Sequence, residues 1–489
     1  MRSDPHVEPT QLLLPLPGLA EPTRDVRIPR ADRVFVNRNL AMAGIEWVGF
    51  DMDYTLAIYH QRAMDMLSIE LSLTRLLAKG YPEYLRQVHY DTRFPIRGLL
   101  IDKRFGHVLK MDRYKSVFRG YHGLKSLPPE LLERLYHDRK IRPTTPRYHF
   151  IDTLFAMCEV TLYSVAVDAL ERSGDSVDYG KLFEDIRESI DEAHRDGSVY
   201  TAITRDLPKY LDRDPGLAKT LHKLRSAGKK LFVLTNSPLS YTQAVMSYLL
   251  DGASAEYPSW RHFFDVVVVS AEKPRWFREG RPLKRLSAAK EARNGQAERC
   301  QIYEGGSLHQ FERLVRAIGP RVLYVGDHIY GDILRSKKES SWRTAMIIQE
   351  LDQEVAALES CLGEMARQRD LAVTRDQLED ELRFYQARFK ELSKERAPDD
   401  DVRRVKRALE RVRSELRALD QEHTRLSQII DVSFHPYWGS LLKEHHEMSS
   451  FGLQVDTYAD LYARRVSSFG AYSAHQHFRS PHDLMPHEL

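Results

Sequence analysis

Apolar and polar positions along this chain follow two different rhythms. The run IEWVGF at residues 45–50 is apolar and β-favouring, which predicts a buried strand. Residues 61–200 then lack any strand–helix alternation. Helical periodicity shows at residues 65–80 and 150–174, each closed by a glycine suited to a helix C′ position. Between them, residues 94–114 read as a small β-rich piece. This stretch is an insertion placed after the first strand.

The alternation resumes at Asp214, expected as an N-cap with Pro215 at the first helical position, Leu217, Leu221 and Leu224 on one face and Gly228 as the stop. Strands are predicted within 230–237, 263–274, 321–332 and 342–350. A helix is expected from Ser307, with Gln310 completing a capping box and Phe311, Leu314, Val315 and Ile318 as its apolar face. Strands alternating with helices predict an α/β fold with a mainly parallel sheet and helices on both faces.

From residue 351 to 430 the chain becomes charged and helical. Leu378, Leu382, Tyr385, Phe389 and Leu392, then Val402, Val405, Leu409, Val412, Leu416 and Leu419, recur at spacings of four and three. This predicts two antiparallel helices joined near residues 398–401. They are expected to pack on the core, because each arm shows only two or three heptads. The expected organisation is a disordered tail (1–30), the first part of the core (31–60), an inserted cap (61–204), the second part of the core (205–350), a helical hairpin (351–430), a segment returning to the core (431–475) and a short tail (476–489).

Composition narrows the class. The chain has 489 residues, with 73 basic and 70 acidic side chains and a net charge of +3. That balance argues against a nucleic-acid binder. No apolar run is long enough for a membrane span. Three cysteines, widely separated, argue against a disulfide framework and a cysteine zinc site, so a cytoplasmic setting is expected.

Four predicted strands end in groups suited to a phosphate. They are Asp51 and Asp53, the run Thr235-Asn236-Ser237, Lys273, and Asp327 with Asp332. Parallel strands bring such ends to one edge of the sheet, where ligands bind in open α/β folds. Two carboxylates leaving a buried strand call for a cation between them, and the pair suits a Mg2+ site in which one aspartate attacks phosphorus and the other handles a proton. Thr235 can hydrogen-bond phosphoryl oxygens, Lys273 supplies fixed positive charge, and Asp332 can orient water or Lys273. Each motif alone has an ordinary alternative: a surface acidic pair, a helix N-cap, a solvated turn lysine, a Gly/Asp turn. Jointly and in this order they point to one site.

That order resembles the haloacid dehalogenase superfamily of aspartyl-phosphate enzymes. Within it, FDMDYTLAIY, LTNS, AEKP, YVGDHIYGDILRSKK and WRT resemble the cytosolic purine 5′-nucleotidases, which favour IMP and GMP. The resemblance implies Asp51 as nucleophile and Asp53 as general acid and then base. It implies Mg2+ on Asp51, the Asp53 carbonyl and Asp327, with Asp332 supporting the metal site. Thr235, Asn236, Ser237 and Lys273 would hold the phosphate, and Arg187, Asp191, His194 and Phe155 the purine. Arg187 and Asp191 also read as a plain helical ion pair. Arg142, Asp152, Tyr330, Lys338, Gln454 and Tyr458 match a nucleotide effector site, although a carboxylate at Asp152 would repel a polyphosphate.

The activity so implied is Mg2+-dependent hydrolysis of purine nucleoside monophosphates through a phospho-aspartate, with phosphotransfer to a nucleoside as a second outcome, in a homo-oligomer (dimer or tetramer). The rivals are a phosphatase of deoxynucleotides or sugar phosphates, and a non-catalytic nucleic-acid scaffold using the basic stripe DVRRVKRALERVR.

Overall fold

The structure, a computed structural model, describes residues 28–137, 141–287, 300–395 and 398–481. The expected N-terminal tail up to residue 27 and the C-terminal tail from residue 482 lie outside the described residues.

A nine-stranded sheet runs in the order Phe35–Val36, Leu461–Ala463, Arg343–Ile347, Val322–Gly326, Trp47–Phe50, Lys230–Leu234, Val266–Val269, Gln301–Gly305, Leu283–Ser287. All neighbours are parallel except the outermost pair at each edge. Phe50 is in register with Val233 on one side and Val325 on the other, so three strands end abreast.

The strand interiors are apolar on both faces, as a sheet covered on two sides requires. Val48, Phe50, Val233 and Val325 join one core cluster, and Trp47, Phe232, Leu234 and Tyr324 join another, following the two-residue period of a strand. Helices Leu217–Ser226 and Leu239–Leu250 cover the first face, and helix Leu308–Val315 the second. Gly49 makes room for this packing: a Cβ there would lie 2.0 Å from Phe232 Cζ. Any side chain at that position would eject a ring whose burial is worth about 2–3 kcal/mol.

Between Trp47–Phe50 and Lys230–Leu234 the chain builds a separate lobe. Ile58–Tyr59 pairs antiparallel with Leu211–Asp212 and closes its neck. The lobe contains a five-stranded antiparallel sheet, Lys125–Ser126, Val117–His122, His107–Met111, Leu99–Asp102 and Tyr148–Phe150 in that order. It also contains helices Gln61–Ala78, Met157–Arg172 and Tyr179–Arg195. Fourteen of the sixteen residues of Met157–Arg172 are buried, because the other two helices pack against it and against each other.

Several local expectations are corrected. The helix after Asp214 starts at Leu217, because the Asp214 carboxylate accepts from Gly216 N in a tight turn instead of capping a helix at Pro215. The Ser307 side chain does accept from Gln310 N, but that helix ends at Val315 with Arg316 in the left-handed region. Leu314 and Ile318 are consequently 37% and 69% exposed, and the buried face is Leu308, Phe311 and Val315. Residues 150–156 form the end of a strand and a single turn at Leu154–Ala156, so the helix begins only at Met157.

The hairpin arms, Leu362–Glu395 and Asp399–Phe434, are longer than the visible heptads suggested, and core packing is not what they do. They pack on each other in antiparallel register, as the pairs Arg411–Glu381, Arg375–Asp420 and Arg367–Glu422 show. Within the first arm only Leu392 is buried, and Phe384 is 63% exposed. The base of the second arm is tied to the body through Asp431 and Arg119, 2.6 Å apart.

The segment from residue 435 onward does return to the body. Lys110 Nζ donates to the carbonyls of Trp438, Ser440 and Lys443, each at 2.7 Å, and faces Glu444. Leu461–Ala463 enters the main sheet. His477–Phe478 pairs with Leu40–Ala41, so part of the expected C-terminal tail belongs to the fold.

Candidate active site

Asp51 follows directly on the central strand, its N donating to Val325 O at 2.9 Å. The chain then turns back through Tyr54, which sits at φ 55°, and the amides of Thr55, Leu56 and Ala57 all point at Met52 O. That turn leaves Asp51 and Asp53 at the edge where Leu234 and Gly326 also end.

Lys273 reaches the same edge from the loop after Val266–Val269. Its Nζ lies 2.6 Å from Asp332 Oδ1, 2.8 Å from Asp51 Oδ1 and 3.0 Å from Tyr324 OH. Asp332 can approach because Gly326 has no side chain; a Cβ there would sit 2.6 Å from Asp332 Cβ. Asp51, Asp327 and Asp332 each offer a carboxylate oxygen within 4.8 Å of the others. Asp327 is fixed from the inserted lobe, where the fully buried Arg97 donates to its carbonyl at 2.9 Å and pairs with Glu350.

Three buried carboxylates against one ammonium leave a deficit of positive charge. Burial, opposed by Lys273 and aided by Asp332, pushes Asp51 well above the usual carboxylate range. Burial and then Asp332 do the same to Asp327. Burial works against the charge on Lys273, but Asp332 and Asp51 hold it above its ordinary value. Asp327 Oδ2 is buried with no hydrogen-bond partner among the described residues. An all-oxygen donor set with an orphaned carboxylate oxygen fits a hard divalent cation.

The Thr-Asn-Ser run is placed beside this cluster, but only partly as expected. Thr235 is fully buried, and its hydroxyl accepts from Ser237 N at 3.1 Å. Asn236 exchanges two hydrogen bonds with the Lys273 backbone, at 2.6 and 3.0 Å, so its side chain braces the loop that carries the lysine. Ser237 Oγ donates to Asp53 Oδ2 at 2.7 Å, while Tyr59 OH donates to Asp53 Oδ1 at 2.5 Å. Tyr59 in turn lies 2.8 Å from Tyr241 OH. Burial raises the Asp53 pKa despite both hydrogen bonds.

A cavity of about 300 Å³ opens from Asp53, Asn236 and Ser237 into the inserted lobe, with Phe155, Asp191 and His194 on its walls. Phe155 is held edge-on against Tyr54, centroids 4.6 Å apart. Arg187 is not among the lining residues; its guanidinium lies 3.4 Å from His149 Nδ1. Glu159, Tyr200 and Tyr241 also line the cavity, and of these Glu159 and Tyr241 carried no signal in the sequence. Tyr59 did sit inside the FDMDYTLAIY string, but only the fold shows its hydroxyl on Asp53.

Of the six effector positions, Tyr330 and Lys338 come from the segment after Asp327, and Gln454 and Tyr458 from helix Ser450–Tyr458 packed against it. Lys338 Nζ lies 5.8 Å from the Tyr458 ring centroid, and Gln454 Oε1 is buried without a partner. Asp152 faces His328 at 3.6 Å. Arg142 is exposed and makes no ion pair with the other five among the described residues.

A parallel sheet whose central strand ends in an aspartate pair, flanked by a threonine, a lysine and a second aspartate pair, makes a site of the kind a phosphatase needs. Consistently, the 5′ nucleotidase family matches residues 34–489, and the chain belongs to it. It is an enzyme of the 5′-nucleotidase kind, a nucleotide phosphatase. A 5′-nucleotidase domain-containing protein of Dictyostelium discoideum is 30% identical over 476 residues, covering 93% of this chain and 75% of its own length. The 5′-nucleotidase domain-containing protein 2 of Rattus norvegicus and that of Homo sapiens are each 29% identical, again over 93% of this chain and over 80% and 85% of their own. A predicted phosphoglycolate phosphatase from Haemophilus somnus 129PT aligns with 63% of this chain and 86% of its own at a TM-score of 0.27 and 14% identity, too slight a likeness to bear on the fold. Among the described residues no helix is long and apolar enough to cross a membrane.

Proposed function

We propose that this enzyme hydrolyses purine nucleoside 5′-monophosphates, IMP and GMP foremost, through a phosphorylated Asp51. The observation that supports this reading is the convergence of Lys273 Nζ on Asp51 and Asp332, with the orphaned Asp327 in the same carboxylate cluster, while Asp53 and Asn236 beside it line the cavity. The substrate phosphate sits against Lys273 and Thr235. An Asp51 carboxylate oxygen attacks phosphorus, forming the O–P bond as the bond to the 5′-oxygen breaks. Asp53, whose buried carboxyl favours the protonated form, gives its proton to the departing 5′-oxygen. It then takes a proton from water as that water cleaves the acyl phosphate. A nucleoside hydroxyl in place of water gives phosphotransfer.

Asp51, Asp327 and the Asp53 carbonyl would hold Mg2+, with Asp332 supporting them. When bound, the ion neutralises the aspartates and polarises the phosphoryl group. Tyr59 and Ser237 keep the Asp53 carboxyl in place, and the inserted lobe keeps water from the intermediate.

Phosphate release from a panel of IMP, GMP, AMP, CMP and sugar phosphates tests this reading. IMP and GMP are expected to lead, and Asp51→Asn to abolish release while the circular dichroism spectrum is unchanged. A fully active Asp51→Asn protein removes the nucleophile assignment, and a sugar phosphate in first place removes the substrate class.

A further inference from the structure

Asp53 carries both proton steps of the nucleotidase reading, and hydroxyls from three separate parts of the chain converge on it. Ser237, just beyond strand Lys230–Leu234, donates its Oγ proton to Asp53 Oδ2 at 2.7 Å. Tyr59, in the neck strand Ile58–Tyr59, donates to Oδ1 at 2.5 Å. Tyr241, in helix Leu239–Leu250, lies 2.8 Å from the Tyr59 hydroxyl. Both phenols are buried.

A hydroxyl has one proton to give. Tyr241 OH has no other hydrogen-bond partner among the described residues, so its proton goes to the Tyr59 oxygen. The Tyr59 proton is committed to Asp53. The chain therefore runs one way, from Tyr241 to Tyr59 to Asp53, and each link strengthens the next. Tyr59 and Ser237 together occupy one lone pair on each Asp53 oxygen, which leaves the second lone pair of each for a transferable proton. Asp53 itself lines the cavity. A further ring comes from the inserted lobe: Tyr200, in helix Ser198–Arg205, packs on Tyr241 with centroids 4.6 Å apart. The lobe thus bears on the ring whose hydroxyl starts the chain.

We infer that the Tyr241–Tyr59 hydroxyl chain aims the general acid: it holds Asp53 Oδ1 from behind and leaves the transferable proton on the side of the carboxyl that meets the departing 5′-oxygen. That proton passes from Asp53 to the 5′-oxygen as the phosphorus–oxygen bond breaks, and the electron pair of its O–H bond stays on Asp53. The phenol protons remain where they are. Tyr59 and Tyr241 are positioning residues that act through Asp53. The inference rests on the nucleotidase reading and adds to it the groups that govern proton delivery.

The test exploits the leaving group. A 5′-alkoxide departs poorly without a proton, whereas p-nitrophenolate departs as a stable anion, and kcat/KM covers the steps up to that departure. Tyr59→Phe and Tyr241→Phe keep each ring and remove one hydroxyl. The kcat/KM for IMP is expected to fall about ten- to hundredfold in Tyr59→Phe, which loses a hydrogen bond to a charged group, and about three- to tenfold in Tyr241→Phe, which loses a neutral one. The value for p-nitrophenyl phosphate is expected to stay close to wild type in both. An equal fall for the two substrates overturns the proposal, as does an unchanged IMP value in either variant. A series of substituted phenyl phosphates on the wild type is a second readout, independent of how the variants fold. With the proton delivered, kcat/KM is expected to change little as the phenol becomes more basic; a steep fall along the series overturns the proposal. A wild type that releases phosphate from phenyl esters but from no nucleotide removes the nucleotidase reading, whereas the phenyl series still decides on the hydroxyl chain.

Discussion

Lys273 Nζ stands between Asp332 Oδ1 and Asp51 Oδ1, at 2.6 and 2.8 Å, and is the ammonium that ties the strand at Trp47–Phe50 to the segment after Asp327. All three side chains are almost wholly buried. Breaking such a pair leaves charges without a partner, which costs about 3–5 kcal/mol. Lys273→Met is expected to lower the denaturation midpoint and to cut kcat/KM for GMP at least about a hundredfold, the size seen on removing one fixed electrostatic contact to a transition state. Chemical denaturation and phosphate release measure the two effects. A variant as stable as wild type would contradict the role given to the ammonium.

The orphaned Asp327 Oδ2 leads to a prediction about Mg2+. Protein stripped with a chelator is expected to release no phosphate until Mg2+ is restored. An ion that binds only the folded state adds about 2.7 kcal/mol at a hundredfold excess over its dissociation constant. Thermal melts with and without Mg2+ should therefore differ by several degrees, and Asp327→Asn should erase most of that difference. An equal shift in the variant places the ion elsewhere.

Asp65 supplies a pH dependence away from the site. It is 2% exposed, and its Oδ2 is unpartnered among the described residues. Burial, against a hydrogen bond from Gln61, raises its pKa from 3.8 to about 8. The folded chain thus holds a proton that the unfolded chain gives up. The stability linked to Asp65 is complete below the unfolded value and declines as pH rises toward 8, at up to about 1.4 kcal/mol per unit. Asp65→Asn lacks this decline, so its advantage over wild type is expected to grow from pH 5 to pH 8 and then level off. Paired melts across that range check it; a constant difference would refute it.

The hairpin is held by its own seam. Val412 is fully buried between the arms, whereas most surrounding positions are polar and exposed. Val412→Asp is expected to separate the arms and reduce helical circular dichroism while kcat for GMP stays within about twofold. The substitution buries an unpaired carboxylate at the seam and touches no catalytic group. A collapse of kcat would show that the hairpin supports the site.

Much of the candidate site's convergence was legible in the sequence, because its groups are written in local strings. An apolar strand that stops at an aspartate or a threonine needs only the parallel register of Phe50 with Val233 and Val325 to bring those groups together, and Lys273 joins them from the loop after Val266–Val269. The alternation of strands and helices implied a parallel sheet with those ends on one edge. Boundaries were less legible where a side chain could serve two local purposes. Asp214 closes a turn on Gly216 rather than capping a helix, and Arg316 ends a helix whose apolar spacing ran on to Ile318.

What tertiary structure alone decided is the direction in which side chains point across elements far apart in sequence. Arg187 reads as a base-binding residue; in the fold its guanidinium lies against His149, and Glu159, which the sequence did not single out, lines the cavity. Asn236 and Ser237 read as phosphate ligands, yet one braces Lys273 and the other holds Asp53. The heptad spacing of the hairpin marked its seam but not what the seam would meet, since a stripe of leucines and valines buries equally well against a core or a neighbouring arm. The sequence by itself determined which acidic, hydroxyl and ammonium groups stand at or just after the strand ends, because those are set by residue type. Orientation, partner and burial depend on contacts the chain makes only once folded.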